Sequence, residues 1–88
     1  MNVHFDGRET SDLYHGELFR QGHYRVILCK DGIQWIIQRQ DKAAGARWRS
    51  LSYCTARESL IRLWPALNCA IPLELAAFPD NVRGVCNG

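Results

Sequence analysis

Arg25, Gln34, Gln38, Arg47 and Arg49 are the residues of this 88-residue chain whose types and spacing bear most directly on chemistry. Arg and Gln can hydrogen bond in a bidentate fashion to guanine and adenine edges, while Arg and Lys neutralise phosphates. Residues 20–62 contain nine of the eleven Lys and Arg (Arg20, Arg25, Lys30, Arg39, Lys42, Arg47, Arg49, Arg57, Arg62) against three acids, a net +6. Residues 1–19 carry −3 and residues 63–88 carry −1. A basic centre between acidic flanks points to an anionic partner, DNA or RNA, although an ordinary solvated sheet rim would carry the same charges.

Other chemistries find less support. His4, His15 and His23 have no recognisable acid or nucleophile beside them, and the carboxylates are scattered. Cys29, Cys54, Cys69 and Cys86 are widely spaced, with no Cys-x-x-Cys or His-x-x-x-His pair to hold zinc. Gly7, Gly16, Gly22, Gly32 and Gly45 are isolated turn signals and form no phosphate-cradling loop. The expectation is a protein without enzymatic activity, metal or cofactor. No apolar run approaches the roughly 18–20 residues of a membrane span, and the first residues lack a signal-peptide core. A cytoplasmic protein with reduced thiols and no membrane association is therefore expected.

The elements that would position these side chains follow from hydrophobic period. His23–Cys29 and Ile33–Gln40 are strand-like runs separated by Lys30-Asp31-Gly32, and Asp-Gly suits a two-residue hairpin turn. That turn sets Leu28 opposite Trp35, Val26 opposite Ile37 and Tyr24 opposite Arg39. One face then carries Tyr24, Val26, Leu28, Ile33, Trp35 and Ile37. The other carries Arg25, Gln34 and Gln38, with Ile27 and Ile36 as an apolar pair among them. Asp41–Ala46 reads as a loop and Arg47–Cys54 as a third strand. Its Leu51 and Tyr53 would join the core and Trp48 would lie near the Arg/Gln face, unless a bulge swaps the faces.

Thr55 and Glu58 form a capping-box pair before Leu60, Leu63, Trp64 and Leu67, which recur on one helical face. Pro65 ends or kinks that helix at Trp64. Pro72 can open a short second helix to Phe78, from which Leu73, Leu75 and Phe78 could cover the core. Residues 1–12 and 80–88 read as loose tails. Asp12–Phe19 is a short strand or a helical turn at the core edge, within one domain spanning residues 13–79. The fold class is α+β: an antiparallel three-stranded sheet packed against one main helix, with a short C-terminal helix.

Trp35, Trp48 and the Thr-Ala-x-Glu at the helix start give residues 33–64 a likeness to the plant AP2-type and phage-integrase amino-terminal modules. That resemblance implies a sheet entering the major groove of DNA. The chain as a whole is similar to short uncharacterised bacterial and prophage-encoded proteins, through Tyr24-Arg25-Val26, Ile33-Gln34-Trp35, Trp48-Arg49-Ser50 and Tyr53. This likeness implies a role near a larger nucleic-acid machine. Two functions compete. In the first, nucleic acid binds on the far face of the sheet through Arg25, Gln34, Gln38, Arg47 and Arg49. In the second, a protein adaptor or inhibitor uses an apolar patch of Ile27, Ile36 and Trp48, unless the N- or C-terminal segment covers the pair and makes it core.

Overall fold

The central hairpin forms in the expected register: Leu28 pairs with Trp35, Val26 with Ile37 and Tyr24 with Arg39. The computed structural model describes residues 7–45, 47–67 and 71–82. His4, Cys69, Cys86 and the outer parts of both expected tails, 1–6 and 83–88, lie outside them. The hairpin turn differs from the one expected. Gly32 donates to the Cys29 carbonyl at 2.9 Å and takes φ +69, so Lys30 and Asp31 occupy the central turn positions. Cys29 still pairs with Gln34, so this wider connection preserves the register while moving Ile33 out of the core, 48% exposed.

The sheet has four antiparallel strands in sequential order, not three. They are β1 (Glu17–Gln21), β2 (Tyr24–Leu28), β3 (Trp35–Asp41) and β4 (Arg47–Cys54). β1 is the added strand. Its pairing with β2 shifts between Glu17 and Phe19, leaving Leu18 exposed and turning Phe19 inward. That irregularity breaks the two-residue period by which a strand is recognised.

A second irregularity decides the faces of β4. Gln38 pairs with Ser50 but Ile37 pairs with Ser52, so Leu51 is the extra residue of a bulge. Trp48 and Ser50 share the outer face with Gln38, whereas Ser52 and Cys54 share the inner face with Ile37 and Trp35. The expected core positions of Leu51 and Tyr53 are corrected accordingly: they are 41% and 60% exposed.

The inner face carries the main core. Phe19, Val26, Trp35, Ile37 and Cys54 pack with Leu60, Trp64 and Leu75 from the helices. Helix α1 (Arg57–Leu63) begins later than the capping box implies, with Ala56 as an extended N-cap and no side-chain cap. Residues 80–82 supply the missing partners. The Arg57 amide donates to the Asp80 carbonyl, the Val82 amide donates to the Thr55 carbonyl, and Ala56 bridges Asn81. This part of the expected C-terminal tail is thus hydrogen bonded to the domain. Leu60 and Trp64 realise the apolar stripe, which continues through a 3-10 turn at Trp64–Leu67 containing Pro65. Helix α2 (Leu73–Ala76) buries Leu75 and leaves Leu73 85% exposed, so Leu73 covers nothing. Phe78 instead packs on Trp35 and Phe19, with ring centroids 5.0 and 5.9 Å apart.

No helix among the described residues is long and apolar enough to cross a membrane.

Candidate anion-binding cleft

The outer face is where the sequence places both candidate binding surfaces, but most of it is covered. Residues 9–14 cross it as a strap, although residues 7–12 read as loose from the sequence. Arg25 is fully buried beneath this strap and uses its guanidinium as a fork. Its Nη2 donates to the carbonyls of Glu9 (3.0 Å) and Ser11 (2.9 Å), Nη1 to Glu17 Oε1 (2.9 Å), and Nε to Gln38 Oε1 (2.8 Å). Gln38 is also fully buried and donates through Nε2 to the Glu9 carbonyl and to Ser50 Oγ. Burial lowers the Arg25 pKa, and the hydrogen bond and charge of Glu17 work in the opposite sense.

Trp48 lies under the Arg25 guanidinium, 4.3 Å from carbon to ring centroid, and its Nε1 donates to Asp12 Oδ1 at 3.0 Å. Tyr14 ends the strap, packing with Ile27, Ile36 and Cys29 and donating its hydroxyl to the Leu28 carbonyl at 2.7 Å. Gly16 allows this close approach. A Cβ there would sit 2.5 Å from the Tyr14 ring and 2.7 Å from the Leu28 carbonyl oxygen.

The expected site residues therefore separate. Arg25 and Gln38 are structural groups with satisfied hydrogen bonds, and Gln34 is half-buried at the turn end of the hairpin. Ile27, Ile36 and Trp48 form no surface patch, because the strap lies over them and they are at most 2% exposed. The sheet face expected to enter DNA is occupied by the chain's own acidic N-terminal segment. Cys29 and Cys54 are free thiols, both buried, and burial raises the Cys54 pKa. His15 and His23 are exposed. No group of three His, Cys, Asp or Glu arranged to hold a metal occurs among the described residues.

Asp12 makes the strap sensitive to acid. The hydrogen bond from Trp48 lowers its carboxyl pKa, with further lowering from Arg20, which is 3.1 Å away, while burial opposes them. A folded-state pKa below the unfolded one gives stability that is present above the ordinary carboxylate range. That stability is lost as pH falls through the lowered value. Asp12→Asn should therefore be less stable than wild type at neutral pH, with the gap narrowing as pH falls below the ordinary carboxylate range. Thermal melts across that range check this; a gap independent of pH would exclude a role for the Asp12 charge.

Arg47 and Arg49 remain exposed, at the start of β4. Arg49 pairs directly across the strands with Arg39, also exposed, on the inner face beyond the part that the helices cover. Together with His23, Asp41, Lys42 and Leu51 they line an open cleft of about 390 Å³. Asp41 sets its shape from both carboxylate oxygens. Oδ1 accepts from the Ala43 amide at 3.1 Å, capping the 3-10 turn that carries Lys42, and Oδ2 lies 3.7 Å from Arg49. No carboxylate pairs with Arg39, Lys42 or Arg47 among the described residues. Sequence reasoning missed Arg39, Lys42 and His23 as site residues. The signal available was the hairpin register, which puts Arg39 on the helix-facing side at a strand end. Only the β4 bulge aligns it with Arg49.

No known protein family, curated protein or solved structure matches this chain.

Proposed function

We propose that this protein is a small non-enzymatic module that binds nucleic acid, taking its phosphates in the Arg39–Arg49 cleft. The observation that carries this reading is the directly opposed pair of exposed arginines. Like charges at facing positions of an antiparallel pair are destabilising, and a bound anion converts that repulsion into attraction. Lys42 and His23 stand in the same cleft and Arg47 beside it. The basic excess of residues 20–62 thus gains a local focus. Of the residues expected from the sequence, Arg47 and Arg49 remain in this proposal, but Arg49 acts from the inner face and not from the far face on which it was expected.

Titration of a labelled oligonucleotide by fluorescence anisotropy over a range of salt concentrations tests the proposal. About three phosphate contacts should give a slope of about −2 for a single strand, or nearer −3 for a duplex, in log affinity against log salt. The double variant Arg39→Glu/Arg49→Glu should weaken binding at low salt by about tenfold or more. Both side chains are exposed, so circular dichroism should be unchanged. Absence of binding at low salt, salt-independent binding, or full binding by the variant would each refute this function.

A further inference from the structure

We infer that the ligand of this surface is a single strand of nucleic acid whose backbone crosses the edge of β4. This rests on the nucleic-acid reading above and goes further, to the form of the ligand. A second hollow of about 370 Å³ lies at the edge of the same strand, where Thr10, Trp48 and Ser50 of the strap side meet Asp41, Arg47 and Arg49. Asp41 and Arg49 line both hollows. β4 is the outermost strand of the sheet, and at this end its Trp48 amide donates to the Thr10 carbonyl at 3.0 Å.

A path from one hollow to the other turns around that strand. A duplex could follow it only by bending sharply, at a deformation cost that a flexible single strand avoids. A single strand bends at each nucleotide and can place successive phosphates on either side of Arg49. Leu51 adds an independent reason. The bulge leaves its side chain 41% exposed in the wall of the cationic cleft. An apolar group there suits the face of an unpaired base, which a duplex hides within its stack. Arg39, Lys42, Arg47 and Arg49 against Asp41 match a short run of phosphates, with Arg39 serving the first hollow and Arg47 the second.

The test compares low-salt affinities for oligothymidylate, a duplex of equal length and inorganic polyphosphate, with wild type, Arg39→Glu and Arg47→Glu. Oligothymidylate should bind about tenfold more tightly than the other two, since base contacts add to the phosphate interaction. Each substitution should weaken oligothymidylate binding about fivefold or more through the loss of one phosphate contact. If neither nucleic acid binds, the proposed function itself fails. If the duplex or polyphosphate matches the single strand, the single-strand inference fails while anion binding stands. An Arg47→Glu protein with wild-type affinity would overturn the path across the β4 edge.

Discussion

An Arg25→Ala variant should lose about 3–5 kcal/mol of folding stability, the range found when one partner of a buried ion pair is removed. The substitution takes donors away from four acceptors at once: the Glu9 and Ser11 carbonyls, Gln38 Oε1 and Glu17 Oε1. Trp48 also loses the guanidinium stacked on its ring. Arg25→Met, which keeps much of the aliphatic volume, should recover little, because the carbonyls remain unanswered. Arg25→Lys should fall between, since an ammonium cannot reproduce the fork. Small domains have total stabilities of about 5–15 kcal/mol, so the alanine variant should sit near the limit of folding. Urea denaturation measures the loss. A cost below about 1 kcal/mol would show that the strap's hydrogen bonds contribute little net stability.

Trp64→Ala should be similarly severe, at about 3–5 kcal/mol. Trp64 is fully buried where the helical layer meets β1 and β2, with its ring centroid 5.2 Å from Phe19 and 6.4 Å from Tyr24. Its Nε1 donates to Gln21 Oε1 at 2.8 Å. Removing the side chain opens a cavity between two layers and removes that donor. Trp64→Phe keeps an aromatic ring but not the indole N–H, and should cost about 1–2 kcal/mol. Chemical denaturation measures both variants, and equal losses would mean that a phenyl ring recovers none of the lost packing.

These two side chains divide the molecule between them. Trp64 anchors the apolar inner layer and Arg25 the polar outer one. The inner layer was legible in the sequence because hydrophobic period reports it directly: alternation in the hairpin, and the three-to-four-residue stripe of Leu60 and Trp64. The outer layer was not. Ile27 and Ile36 read either as an exposed apolar pair among Arg25, Gln34 and Gln38 or as a pair covered by a terminal segment. The choice stayed open because the segment that covers them carries almost no periodic signal. Glu9 and Ser11 bind Arg25 through main-chain carbonyls, and main-chain groups leave no trace in residue type.

The chain by itself determined the hairpin register, the bounds of the strand Arg47–Cys54 and the Leu60–Trp64 stripe, because local period and turn chemistry are written in neighbouring residues. Tertiary structure alone decided which charges reach solvent. Arg25 and Arg39 are both strand arginines within a basic segment, yet one is fully buried by a strap 11–16 residues away and the other faces Arg49 in an open cleft. The difference arises from the path of the strap and from a single extra residue, Leu51, in β4. Both are long-range properties of the fold. A guanidinium's environment depends on what the rest of the chain brings to it, and the sequence records only that the guanidinium is there.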